Sequence, residues 1–259
     1  MCLILFAYKY HPKYHLVLLA NRDEFYQRPA LPLDYWPDAP TILAGRDLQG
    51  NGTWLGTTRT GRIAAVTNYR DPLNLRSDAP SRGLLIRNYL NGNQSPQVYF
   101  KALSAKRNLY NGFNLLIGDQ TQLYYYSNYH PTLTKITPGI HGLSNHLLNT
   151  AWPKVTTGKK HLKHLLDQSN QITIEDYFKL LTDCTVPHDR LLPNTGIGLA
   201  WERVLAPLFI CSPDYGTRCS SIILMEPSGT IQFHERTYSS NPHPLAETST
   251  RKFFIKPER

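Results

Sequence analysis

The chain has 259 residues, of which 41% are hydrophobic and 18% charged, a balance that excludes a disordered protein and can bury one sizeable core. Twenty-eight Lys and Arg against 19 Asp and Glu give a formal charge of +9, which suits an anionic ligand, an anionic surface or nucleic acid. The basic stretches GKKHLKH (158–164) and RKFFIKPER (251–259) sit in no nucleic-acid motif, and no apolar run approaches the roughly 20 residues that span a bilayer, so neither nucleic acid nor a transmembrane segment is expected.

The start, MCLILFAYKYHPKYH, has no basic lead and no small-residue cleavage site, so it is not read as a signal peptide. Residues 2–8 and 14–20 form two apolar runs broken at Pro12, which predicts a hairpin whose second strand is covered on both faces. PDAPTILAGRD (37–47) reads as a long loop. Hairpins follow in TWLGTTRTGRIAAVTN, turning at Thr60-Gly61, and in FNLLIGDQTQLYYYSN, turning at Gly118-Asp119. Between and after them, helical patterns cover 81–92, 95–106, 152–167 and 173–183, the last opened by Thr173 and Asp176 at capping-box spacing. VPHDRLLPNTGIG (186–198) reads as a loop, SSIILMEPSGTIQFHER as a final hairpin, and 239–259 as a loosely packed tail. Helices inserted between hairpins without βαβ alternation indicate an α+β fold, a four-layer αββα sandwich in one domain over 1–259.

The chemistry concentrates where an apolar strand runs out into Asn21, Arg22, Asp23 and Glu24. A Cys2 exposed at the amino terminus by loss of Met1 would carry a thiol and an α-amine together, and an amine with a pKa near about 8 can act as base toward its own thiol. Such a thiol needs a cation, a carboxylate to hold the amine, and amide donors for an oxyanion, which are the residue types of Arg22, Asp23 and Asn21. The plainer readings are a small buried strand residue at Cys2 and a solvated turn or ion-pair network at 21–24. Adjacent strand residues point to opposite faces, so Arg22 and Asp23 both reach Cys2 only if the strand bends or bulges. The four cysteines form no CxxC pair and are read as reduced; the histidines lack a third-ligand pattern, so no metal site is expected. AGRDLQGNGTWLG lacks a phosphate-loop pattern, and its glycines are read as a turn or a close backbone approach.

In chain order, MC at the start, LANRDEFYQRP, AGRDLQGNGTWLG, TNYRDP, SRG, YNGFNLL, GLSNHLLNTAWPKV and GTRCSS resemble the NRDE-motif family, also called the Transport and Golgi organisation protein two family. That family in turn is similar to N-terminal nucleophile hydrolases of the penicillin V acylase and bile-salt hydrolase branch. The resemblance implies two antiparallel sheets between helices, with catalytic roles for Cys2, Arg22, Asp23, Asn68, Asn145 and Arg218, and Asn21, Glu24, Trp54 and Arg82 at a ligand pocket. In that branch two residues separate the Arg and the Asp, whereas here Arg22 and Asp23 are adjacent.

Two function classes stay open. One is a cytoplasmic carrier of an amphipathic anion, for which the family resemblance implies haem as cargo or a part in lipid and acyl-CoA homeostasis. The other is an N-terminal-cysteine amidohydrolase that cleaves a linear amide through an acyl-enzyme and needs no cofactor. No CxxCH haem-attachment motif is present.

Overall fold

The expected first hairpin is present as β1 (Cys2–Tyr8) and β2 (Leu16–Phe25), in a computed structural model that describes residues 2–168, 171–239 and 247–256. Every residue of β2 from Leu16 to Asp23 is buried, because β2 is central in its sheet and both its faces are covered. That sheet is antiparallel, with the order β10 (Gly139–Leu143), β1, β2, β11 (Tyr215–Met225), β12 (Ile231–Tyr238) and β13 (Glu247–Ile255).

The second sheet is a meander in sequence order: β3 (Ala30–Trp36), β4 (Ala39–Asp47), β5 (Leu55–Thr58), β6 (Ile63–Asn68), β7 (Phe113–Gly118), β8 (Leu123–Ser127) and β9 (His130–Lys135). The turn signals hold: Gly61 and Gly229 adopt φ of +80° and +86°, the left-handed region where a Cβ is costly.

Alternation along β1 and β2 divides the core into layers. Ile4, Phe6, Tyr8, Leu16, Leu18 and Ala20 pack toward the second sheet, against Leu33, Leu43, Leu55 and Leu116. Leu3, Leu5, Val17 and Leu19 face the other way, against helices α3 (Pro153–Gln168) and α4 (Ile174–Leu181). Helices α1 (Gly83–Asn91) and α2 (Pro96–Ser104) cover the far face of the second sheet, where Leu85, Ile86, Tyr89 and Leu103 meet Ile42, Ala64 and Tyr126. The result is the four-layer α+β sandwich anticipated from the hairpins. The capping box at α4 is complete: the Asp176 N–H donates to Thr173 Oγ1, and the Thr173 N–H donates to Asp176 Oδ2.

Two assignments are corrected. Residues 37–47, read as a long loop, contain β4, an interior strand paired on both sides. Gly45 is required there by packing, since a Cβ would stand 2.4 Å from the Trp54 ring. The segment 239–259, expected as a loosely packed tail, supplies edge strand β13 through Glu247–Ile255; residues 240–246 and 257–259 lie outside the described residues. A short helix α5 (Leu199–Val204), with no counterpart among the expected elements, follows the 186–198 loop.

Candidate functional site

The β1–β2 register sets Cys2 directly opposite Arg22, so both side chains lie on the face turned to the second sheet. On the far side of β2, Arg22 pairs with Cys219 and Asp23 with Thr217, which leaves Arg218 as an extra residue on β11. The bend in β2 that would bring Arg22 and Asp23 to one face is absent: β2 stays regular and separates the two side chains, and the irregularity in its pairing with β11 falls at Arg218.

Arg22 runs into the space between the sheets, stacks on Trp54 with its guanidinium carbon 4.2 Å from the ring centroid, and donates from Nη2 to Asp47 Oδ2 at 2.9 Å. Arg28 grips the same carboxylate through Nε to Oδ2 at 2.6 Å and Nη2 to Oδ1 at 3.2 Å, and the Gly50 N–H donates to Oδ1 at 2.7 Å. Burial pushes the Asp47 pKa up, but the Arg28 and Gly50 hydrogen bonds and the Arg22 charge outweigh it and hold the carboxyl below its ordinary value. Asp47 thereby offsets the cation expected to activate the thiol. Burial raises the Cys2 pKa and the Asp23 charge adds to it, while Arg22 and the Asp23 main-chain N–H pull down without prevailing.

Asp23 faces the helical layer. It accepts from Thr217 Oγ1 at 2.7 Å, and burial raises its pKa against the lowering pull of Lys154. Lys154, in the first turn of α3, is buried, and its Nζ has no hydrogen-bond partner among the described residues. Burial lowers its pKa from 10.5 to about 8, with Asp23 resisting. A lysine whose folded pKa lies below its unfolded one takes up a proton on unfolding between those values, so stability rises with pH across about 8 to 10.5, by up to roughly 1.4 kcal/mol per pH unit. In urea titrations at pH 7.5 and pH 10, the stability of the parent relative to Lys154→Met is expected to increase with pH; a constant difference would refute this.

Beside this cluster, Arg70 Nη1 donates to Glu202 Oε2 at 2.6 Å, with side chains only 5% and 4% exposed. Glu202 Oε1 also accepts from the Thr195 N–H and Oγ1, which ties α5 and its approach loop to the end of β6.

The remaining expected residues divide. A cavity of about 510 Å³ is lined by Cys2, Arg22, Glu24, Trp54, Asn68 and Arg82, with Asp23, Arg28, Asp47 and Arg76 also on its wall. Asn145 stands behind this wall: its Nδ2 donates to the Asn68 carbonyl at 3.1 Å, and neighbouring Ser144 Oγ donates to the Cys2 carbonyl at 3.3 Å. Asn145 buttresses the site instead of lining it. Asn21 is corrected from a ligand contact to a structural tie, because its Nδ2 donates to the Leu181 and Leu208 carbonyls and its Oδ1 accepts from Ser220 Oγ. Arg218, expected at the catalytic centre, instead donates from Nη1 to the Phe25 and Arg28 carbonyls, clamping the turn after β2 beside a small cavity on the other side of Arg22 and Trp54.

A second cavity of about 640 Å³ shares Glu24, Arg28, Asn68 and Arg82 with the first and is walled by apolar groups, among them Phe25 and Trp201. Arg82 Nη1 donates to the Gly112 carbonyl at 3.1 Å, and among the described residues it has no carboxylate within ion-pair distance. Arg28, Asp47, Arg70 and Lys154 were absent from the expected site although all four lie inside the quoted motifs; Glu202 lies in none.

The sequence model of the family described as Transport and Golgi organisation 2 matches residues 1–240. A Transport and Golgi organization protein 2 homolog of Bos taurus is 34% identical over 278 residues, covering 99% of this chain and 100% of the relative. The Drosophila melanogaster Transport and Golgi organization protein 2 is 28% identical, covering 94% of each chain. Among solved structures, a conjugated bile acid hydrolase from Clostridium perfringens matches with a TM-score of 0.52 at 9% identity, covering 100% of this chain and 94% of that one, which is a likeness of fold.

Proposed function

The chain belongs to the Transport and Golgi organisation 2 family and has an N-terminal-nucleophile-hydrolase-like fold, and from that premise we propose that it binds an amphipathic anion in the joined cavities beside Cys2. The observation that carries this reading is the shared rim: Glu24, Arg28, Asn68 and Arg82 border both the polar cavity and the apolar one. Arg22 and Arg28 are held by Asp47, whereas Arg82 has no carboxylate within ion-pair distance among the described residues and, of the carboxylates, only the more distant Glu24 acts on its charge, so an anionic head placed at Arg82 leaves its chain against Phe25, Leu75 and Trp201. The formal charge of +9 favours approach of such a ligand. Long-chain acyl carboxylates and haem, with its carboxylates on an apolar ring, both have this two-part chemistry.

Calorimetric titration with a long-chain fatty acid tests the assignment. Arg82→Ala is expected to weaken binding by about tenfold, the size of one charge-assisted contact of roughly 1.4 kcal/mol, and Trp201→Ala to weaken it through the chain. Binding unchanged in both variants would overturn the assignment. Haem titration followed by absorbance tests the second cargo, and a spectrum identical to that of free haem would exclude it.

A second reading rests on Cys2 and Asn68 sharing the first cavity. In a mature chain beginning at Cys2, the thiolate would attack an amide carbon, Asn68 would donate to the oxyanion, the amine would leave with a proton, and water would cleave the thioester. The Asp47-held Arg22 favours ligand handling over this reaction, because the cation beside the thiol is already paired with a carboxylate. Intact mass separates the two: retained Met1 contradicts hydrolysis, while loss of Met1 with amide release abolished by Cys2→Ala would establish it.

A further inference from the structure

Cys184 and Cys211 lie away from the Cys2 cavity, both exposed, with sulfur atoms 3.7 Å apart. Each is anchored in the chain. Cys184 follows the end of α4, where the Asp183 carbonyl accepts from the Phe209 N–H at 2.9 Å, and Cys211 forms a bridge with Gly216 at the start of β11. The two main chains are thus already joined beside the sulfurs, and closure to the roughly 2.05 Å of a disulfide needs only a small movement. The other two cysteines stand apart: Cys2 and Cys219 lie on β1 and β11, with β2 between them.

Between the pair, residues 185–210 make one excursion that carries the Asp189–Leu191 turn and α5. That excursion supplies Ile197, Trp201 and Leu205 to the apolar cavity and Glu202 to Arg70. We propose that Cys184 and Cys211 are a reversible dithiol–disulfide modification site that clasps the root of this excursion. The oxidant is a peroxide or a small disulfide such as glutathione disulfide. With peroxide, the Cys184 sulfur attacks an oxygen and water leaves as the sulfenic acid forms; Cys211 then attacks that sulfur and a second water leaves. With glutathione disulfide, two thiol–disulfide exchanges release two glutathione thiols. Burial and the neighbouring Cys184 push the Cys211 thiol up to about 12, which disfavours its thiolate, so the first attack falls to Cys184 and the second step relies on the 3.7 Å approach of the two sulfurs. Oxidation of the pair thereby restrains the excursion that carries Ile197, Trp201 and Leu205 of the apolar wall.

The test treats the full chain with hydrogen peroxide, and separately with glutathione disulfide, followed by non-reducing peptide mapping and limited proteolysis. The expected result is a linked Cys184–Cys211 peptide about 2 Da lighter than the two thiol peptides, reversed by dithiothreitol and absent in Cys184→Ser and Cys211→Ser, with cleavage within 185–210 slowed at least about threefold. The proposal is overturned if the two thiols are alkylated or glutathionylated separately, or if the linked peptide forms and cleavage within 185–210 is unchanged. None of these readings depends on a ligand, so failure here leaves the anion-binding assignment standing and the converse also holds.

Discussion

Replacing Glu202 with Ala is expected to destabilise the folded chain by about 3–5 kcal/mol, the usual result of removing one member of a buried ion pair. Arg70 would keep its charge in a desolvated position with its closest counter-charge gone, and the N–H and Oγ1 of Thr195 would lose their acceptor. Arg70 Nε and Nη2 already lack hydrogen-bond partners among the described residues, so few neighbours can take over. The pair joins the end of β6 to α5, and loss of the tie should also loosen the apolar wall formed by Trp201 and Leu205. Urea unfolding checks the size of the effect, and the double variant Arg70→Met, Glu202→Leu should lose less than Glu202→Ala alone because it removes the stranded charge. Equal losses, or a loss under about 1 kcal/mol for Glu202→Ala, would show that the pair is hydrated or dispensable.

Gly52→Ala is expected to damage both stability and ligand binding. A Cβ at Gly52 would stand 2.3 Å from the Gly83 carbonyl carbon, 2.5 Å from its oxygen and 2.7 Å from the Leu84 nitrogen. These are backbone atoms at the start of α1, so no side chain can rotate away and the helix must shift; overpacking of this kind costs about 1–3 kcal/mol. Arg82 immediately precedes α1 and moves with it, so affinity for an anionic ligand should fall as stability falls. Gly83→Ala provides a graded comparison, since its closest contacts are at 3.0 Å, on Thr53, and Ala is the better helix former by about 1 kcal/mol. The expected order of damage is Gly52→Ala well above Gly83→Ala, read by thermal unfolding and by titration. The reverse order would contradict the close backbone approach.

Much of the fold is legible along the chain because its signals are local. Apolar runs bracketing Thr60-Gly61, Gly118-Asp119 and Pro227-Ser228-Gly229 give the hairpins, and Thr173 with Asp176 marks the start of α4. β4 is hidden because Pro37, Pro40 and Gly45 are loop residues by local propensity, while the reason for Gly45, the Trp54 ring, lies nine positions away. The strand at 247–255 is hidden by the Ser, Pro and His residues before it, and only pairing with β12 makes it a strand.

The site is legible in residue types and much less in direction. Cys2, Arg22, Glu24, Trp54, Asn68 and Arg82 do meet at one cavity. Whether a neighbour faces the cavity depends on register, and the bulge at Arg218 and the regular alternation through Asn21 and Asp23 are decided by the pairing of β2 with β11. Ion pairs such as Arg70–Glu202, 132 positions apart, leave no local pattern.

Adjoining cavities that share Glu24, Arg28, Asn68 and Arg82 should select an anionic head on an apolar body. The most direct measurement is a calorimetric titration of the unmodified chain with a long-chain fatty acid and with the primary alcohol of the same chain length. The acid is expected to bind at least about tenfold more tightly than the alcohol, a difference of roughly 1.4 kcal/mol. Equal affinity for the two, or binding of neither, would contradict it.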